Sequence, residues 1–368
     1  MLPAMRGLSL RAGLPACLLG VCIGLLAACD DDPTVAEADA GVHGLQVVVQ
    51  GEPAWLGVTA LTPTDVWFVG GTQQPPSAAI GHFDGALTSE TLDGPTLWWV
   101  FGLDAEHLWA CGAGGRILRH QADNTWVPEA TDATADTVLW GLWGSGPTDL
   151  WAVGGTDVPG GPRGVVLRSA GDGQWTRVLD PTLPLEDPAD EFAGLNLYKV
   201  WGAGPDAVYL VGEGGRALHW DGQQFRTLPT ETTEILFTVH GRPNGPVLAV
   251  GGLTSGVVRR LEGDRFVPEA IPTGPVLNGI FVRPDGTALA TGAQGLVLAR
   301  DVQGQWTRLR PPADNAIGAR TLHAVVDSGD GTWAVGGDLS ALRDGVVTTD
   351  RPTVAPARRA TSAPGDAP

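Results

Sequence analysis

Residues 207–228 read A-V-Y-L-V-G-E-G-G-R-A-L-H-W-D-G-Q-Q-F-R-T-L: an apolar run, a glycine turn, a second run, an Asp-Gly turn, and a third run opening on an aromatic. Runs of this length between such turns predict three consecutive short strands. The pattern recurs along the chain. The glycine ending each V-W-x-V-G-like run falls at Gly70, Gly112, Gly154, Gly212, Gly251, Gly292 and Gly336, at intervals of 42, 42, 58, 39, 41 and 44 residues. Ten residues earlier stand Gly102, Gly144, Gly202 and Gly241, with Ala60, Val282 and Val326 in the matching place of the other copies. Seven copies at the period of a propeller blade predict an all-β fold, a single seven-bladed β-propeller of four-stranded antiparallel blades over residues 44–349.

Lettered A to D from the axis outward, strand A is the Leu-Trp-x-Val-Trp-like run and B ends on the repeat glycine. C follows the glycine turn, and D opens at Trp126, Trp175, Phe225, Phe266 or Trp306. A and B are continuously apolar, whereas C and D alternate, as a sheet with a buried inner half requires. All 14 tryptophans fall in these strands, at repeated positions that favour blade-to-blade packing over a sugar-stacking platform. Ring closure needs a device, because an open propeller leaves an unpaired edge. Residues 45–50 (L-Q-V-V-V-Q) precede the first A strand and are expected to pair beside residues 343–349.

Alternating strand direction puts the B–C and D–A connections on one face and the A–B and C–D turns on the other. The latter are short and rich in Asp, Pro and Gly. Length variation lies in the former: residues 71–78 with Gln73 and Gln74, residues 155–163 with Asp157 and Arg163, and residues 179–195 with Glu186, Asp187, Asp190 and Glu191. Long loops on a rigid ring are the expected binding elements. The glycine turns of blades 2 and 4 add Arg116 and Arg216 to that face. Gly212, Gly214 and Gly215 read as turn residues. They are followed by neither Lys-Ser/Thr nor a helix, which favours tight B–C turns over a phosphate loop.

Composition changes the picture at the ends. Arg6 and Arg11 precede an apolar run, residues 12–28, too short for a convincing membrane span and suited to a secretory signal. Residues 1–28 are read as that signal, residues 29–43 as an acidic flexible tether, and residues 350–368 as a disordered Pro/Ala-rich tail. Cys17 and Cys22 lie in the signal, so Cys29 and Cys111 are the remaining cysteines, and no intrachain disulfide can form if Cys29 is modified. The formal net charge of −18 argues against nucleic acid. The single lysine, Lys199, reads as compositional bias. The acidic loop offers oxygen ligands that could take Ca²⁺, without EF-hand spacing; no other cofactor is expected. His82, His120 and His219 occupy comparable strand C positions and mark repeat register. No H-E-x-x-H, G-x-S-x-G or C-x-x-C occurs.

Leu26-Ala27-Ala28-Cys29 resembles the lipobox of bacterial lipoproteins, which implies acylation of Cys29 and a lipid anchor in the cell envelope. The Gly-x-Gly-Gly-Arg-x-Leu unit followed by Asp-Gly and an aromatic, with Ser169, Asp172, Gly173 and Trp175 in blade 3, resembles BNR or Asp-box repeats. It is still more similar to the photosystem II assembly factor-like repeats of bacterial surface lipoproteins. Sialidases, the enzymes of the BNR group, use an arginine triad and a tyrosine nucleophile. Here the tyrosines are Tyr198 and Tyr209, both in strands expected to be buried, and the first arginine after the signal is Arg116. The expected function is a non-catalytic, monomeric platform binding an envelope protein or glycan; the alternative is a glycan-active hydrolase or lyase.

Overall fold

The computed structural model describes residues 43–156, 158, 164–179, 195–312 and 316–351. Seven antiparallel sheets follow one another in the order A-B-C-D. Blade 4 is representative, with strands Leu197–Gly204, Ala207–Gly212, Ala217–Trp220 and Phe225–Thr227. The A strands of blades 1 to 7 are Ala54–Thr62, Leu97–Asp104, Val138–Gly146, Leu197–Gly204, Leu236–Gly241, Leu277–Val282 and Thr321–Asp327. Each packs on the A strand of the next blade and the seventh packs on the first, so the A strands surround the axis.

The closing strand lies where its apolar run predicts. Gln46–Gly51 pairs antiparallel with Arg343–Thr349 and is the outer strand of blade 7, whose other three strands come from the opposite end of the chain. One strand was not foreseen. Ala130–Thr131, in the connection between blades 2 and 3, pairs in parallel with strand D of blade 3 at Gln174 and Trp175.

The core lies between blades. One cluster joins Trp67 and Ile80 of blade 1 to Val100, Leu108 and Leu118 of blade 2; another joins Trp109 and Cys111 to Leu142, Leu150 and Trp175. Ten tryptophans are buried, and Trp98, Trp99, Trp126 and Trp220 are partly exposed. Packing therefore explains most of the repeated indoles. The repeat glycine also has a steric cause. A Cβ at Gly112, Gly154, Gly212 or Gly292 would stand 2.1 Å from a backbone carbonyl oxygen just before or at the start of strand A. The next residue donates its N–H to that same oxygen, as Glu213 does to Asn196 at 3.0 Å. Gly214 and Gly215 are left-handed turn residues, at φ 63° and 72°. Gly212 is extended, and its glycine serves close approach instead of a turn.

Three further expectations are corrected. His82 and His219 pair with Trp67 and Tyr209, but the residue matching them in blade 2 is Arg119, opposite Trp109; His120 stands one position later. His43, assigned to the tether, is 4% exposed and donates its N–H to the Arg310 carbonyl at 3.0 Å. Asp350 and Arg351, assigned to the tail, are held: Asp350 accepts the Thr332 N–H, and Arg351 pairs with Asp330 at 2.7 Å and lies over Phe83.

Candidate binding site at the A-strand collar

In every A strand the pairing register with strand B slips at the equivalent place, after Trp55, Leu97, Leu139, Leu197, Leu236, Leu277 or Leu322, and resumes two residues further on. The skipped residue is a β-bulge, which turns a side chain away from the pleat and often borders functional sites. The seven bulge residues are Leu56, Trp98, Trp140, Tyr198, Phe237, Asn278 and His323. Because the A strands surround the axis, these seven form a collar around it. They lie near the start of strand A, on the face carrying the B–C and D–A connections. Adjacent rings touch: Trp140–Tyr198 centroids are 5.0 Å apart and Tyr198–Phe237 5.3 Å, while Trp98 meets His323 at 6.0 Å. Leu56 and Trp140 are buried, and the other five are partly exposed.

The polar groups at the collar are few and specific. The Tyr198 hydroxyl donates to Glu213 Oε1 at 3.2 Å, and the Asn196 side-chain amide donates to the same oxygen at 3.1 Å. The His323 ring donates to the Leu56 carbonyl. Burial, then the neighbouring Lys199 amine, hold the His323 ring down at about 4, so it is neutral in that role.

One residue deeper, the chain places its single lysine. Lys199 is 4% exposed. Its Nζ donates to the Trp140 carbonyl at 2.9 Å and lies 3.2 Å from the centroid of Trp99. The side chain thus spans blades 4, 3 and 2. Gly141 makes this possible, since a Cβ there would meet the Lys199 Cα at 3.1 Å. Burial lowers the amine to about 7, opposed only in part by the Cys111 thiol. Cys111 is itself fully buried, with its thiol pushed well above the ordinary range by desolvation. It gives its S–H to the Leu139 carbonyl at 3.4 Å, as a core residue does.

The residues expected on the binding face divide into two groups. Gln73 and Gln74 are exposed, but residues 71–78 form a lengthened hairpin and not a loop: Gly71 pairs with Ala78, Thr72 with Ser77 and Gln73 with Pro76. Arg116 is half-buried, its guanidinium against Gly94, and burial lowers its basicity despite the nearby Asp93. Arg216 lines an open groove with Arg226, Thr230, Glu231 and Asp264. Asp157, Arg163, Glu186, Asp187, Asp190, Glu191 and Cys29 lie outside the described residues. Among the described residues no three His, Cys, Asp or Glu side chains converge as a metal set, and no helix is long and apolar enough to cross a membrane.

The sequence does not mark the collar, and it offers no second copy of Lys199 for comparison. A strands are apolar throughout, so a one-residue bulge leaves no break in their pattern. The Asp-box-like stretch of blade 3 has another explanation. Its Asp172 accepts the Gln174 N–H at 3.1 Å in a tight C–D turn on the opposite face.

No family model matches the chain, and no curated protein matches it. Solved structures do. YCF48 from Cyanidioschyzon merolae is similar over 83% of this chain and 98% of its own, at TM-score 0.60 and 14% identity. YCF48 bound to D1 peptide is similar over 66% and 74%, at TM-score 0.50 and 18% identity. The WD40 β-propeller domain of Doa1 is similar over 83% and 96%, at TM-score 0.61 and 10% identity. At these identities the likeness shows the β-propeller fold.

Proposed function

We propose that the chain is a non-catalytic binding platform, lipid-anchored through Cys29 in the bacterial envelope, that receives a polypeptide partner on the collar face. The observation carrying this reading is the set of seven equivalent bulges. One bulge would be local irregularity. Seven at one register position surround the axis with partly exposed aromatic side chains, which suit the anchor residues of a partner. The YCF48 propeller bound to D1 peptide supports a polypeptide as the occupant. The lipobox-like Leu26-Ala27-Ala28-Cys29 supports the anchor.

The Tyr198–Glu213 contact favours one rival, a glycan hydrolase using the phenol as nucleophile. The collar weighs against it, because none of its seven residues is an arginine or a carboxylate.

A displayed random-peptide library selected on the wild-type chain, with recovered peptides measured on Phe237→Ala and Tyr198→Ala, tests the reading. Affinity is expected to fall at least tenfold in folded variants. Unchanged affinity in both would place the partner elsewhere. For the rival, hydrolysis of fluorogenic aryl glycosides that disappears in Tyr198→Phe would displace the platform reading.

A further inference from the structure

We propose that Lys199 is the anion-pairing residue of the collar, and that the partner group entering there is an aromatic or branched apolar body carrying a carboxylate. This rests on the polypeptide-binding reading and names the chemistry of what is bound.

An ammonium group has three hydrogens to place. The Trp140 carbonyl takes one and the Trp99 ring face a second, and among the described residues the third has no hydrogen-bond acceptor. No carboxylate pairs with this amine among the described residues, although the chain carries 41 acidic side chains against 23 lysines and arginines. The titratable side chains near it are Cys111 and the neutral His323. A buried amine without an acid is destabilising unless something compensates it.

Nor does packing call for lysine. The matching position in the other blades is Gly57, Trp99, Gly141, Thr238, Gly279 and Ala324. The lysine is therefore a departure from the repeat at this level of the A strands. Above it the collar is aromatic or apolar in five of seven places. A ligand that satisfies both layers has an apolar body for the rings and an anion for the amine. A carboxylate completes the third hydrogen bond and balances the charge of the ammonium, so that its binding favours the protonated amine over the neutral one. Its way in passes the partly exposed rings of Trp98, Tyr198, Phe237 and His323.

The single lysine makes the test direct. The full chain labelled with ¹⁵Nζ-lysine gives one side-chain amine signal. It is titrated with N-acetylphenylalanine and with N-acetyl-phenylalanyl-aspartamide, which carry a chain-end and a side-chain carboxylate, and with the uncharged amide or asparagine counterpart of each. We expect at least one acid to bind tenfold or more tightly than its counterpart and to move the ¹⁵Nζ resonance and its titration upward. In Lys199→Met, acid and counterpart should bind within twofold of each other, with the counterpart's own affinity retained. An amine signal that no acid moves, or an acid preference that persists in Lys199→Met, overturns the assignment. The wild-type titration decides the matter even where the variant fails to fold. If peptides selected on the wild-type chain still lose affinity in Phe237→Ala while the amine signal stays fixed, the platform reading stands and this inference falls.

Discussion

At the scale of single residues, two positions show why the repeat is legible and why its exception is not. Gly212 recurs because a Cβ would stand 2.1 Å from the Asn196 carbonyl, a constraint every blade repeats and a sequence therefore displays seven times. Gly212→Ala is expected to lower stability by about 3 kcal/mol, the upper end of ordinary overpacking, whereas Gly146→Ala, with nothing within 4 Å of its Cβ, should be near neutral. Urea midpoints of the two variants check this. Lys199 occurs once, so no comparison between copies could give it meaning; only the structure shows that its amine crosses blade 3 to reach Trp99. Burial takes that amine from 10.5 to about 7. Between those values the unfolded chain holds a proton that the native state releases, so stability rises with pH through the window. Below pH 7 the full cost of burying the charge is present. Lys199→Met should accordingly be more stable than wild type at pH 6, by up to about 5 kcal/mol, with the gap closing toward pH 10. Denaturation curves across that range measure it, and a variant less stable at pH 6 would mean that the contacts with Trp99 and Trp140 outweigh desolvation.

At the scale of elements, strand existence and order were readable because turn chemistry and apolar runs agree in each copy. Register was not. The A-strand bulges and the one-residue offset of His120 depend on how two strands pair, and continuous apolar runs leave that open. Residues 71–78 show the same limit: a glycine- and proline-containing stretch reads as a loop, yet B and C extend to meet across Gln74 and Pro75. The closing strand was legible for a physical reason, namely that an apolar run ahead of the first blade has only one unpaired edge to cover. Val48 in that strand is 6% exposed and packs with Trp55, Phe83 and Val347. A carboxylate there would be buried without a partner, so Val48→Asp should cost about 3 kcal/mol and leave strand C of blade 7 open to pairing. Light scattering is expected to show association of the variant at concentrations where the wild-type chain shows none.

At the scale of the whole molecule, the ring is closed by a blade built from both ends of the chain, while the collar gathers one residue from each of the seven blades. The binding proposed for the collar would thus depend on closure even though no collar residue lies in the closing strand. A circular permutant separates these two roles. Moving residues 44–51 to follow Thr349 through a short glycine-serine linker, with the new chain starting at Glu52, makes blade 7 contiguous in sequence and leaves every strand pairing available. What disappears is the tie between chain ends, which in the native order closes a loop of roughly 300 residues. A crosslink over such a loop contributes up to about 5 kcal/mol by restricting the unfolded chain, and a non-covalent strand supplies this restriction only while paired. The permutant is therefore expected to fold, to keep the affinity of collar-selected peptides within about twofold, and to unfold at lower urea. Circular dichroism, peptide titration and urea melts measure the three quantities. Loss of peptide binding in a permutant that retains its strand signal would show that the closing strand positions the collar directly, through blades 7 and 1, where His323 meets Leu56.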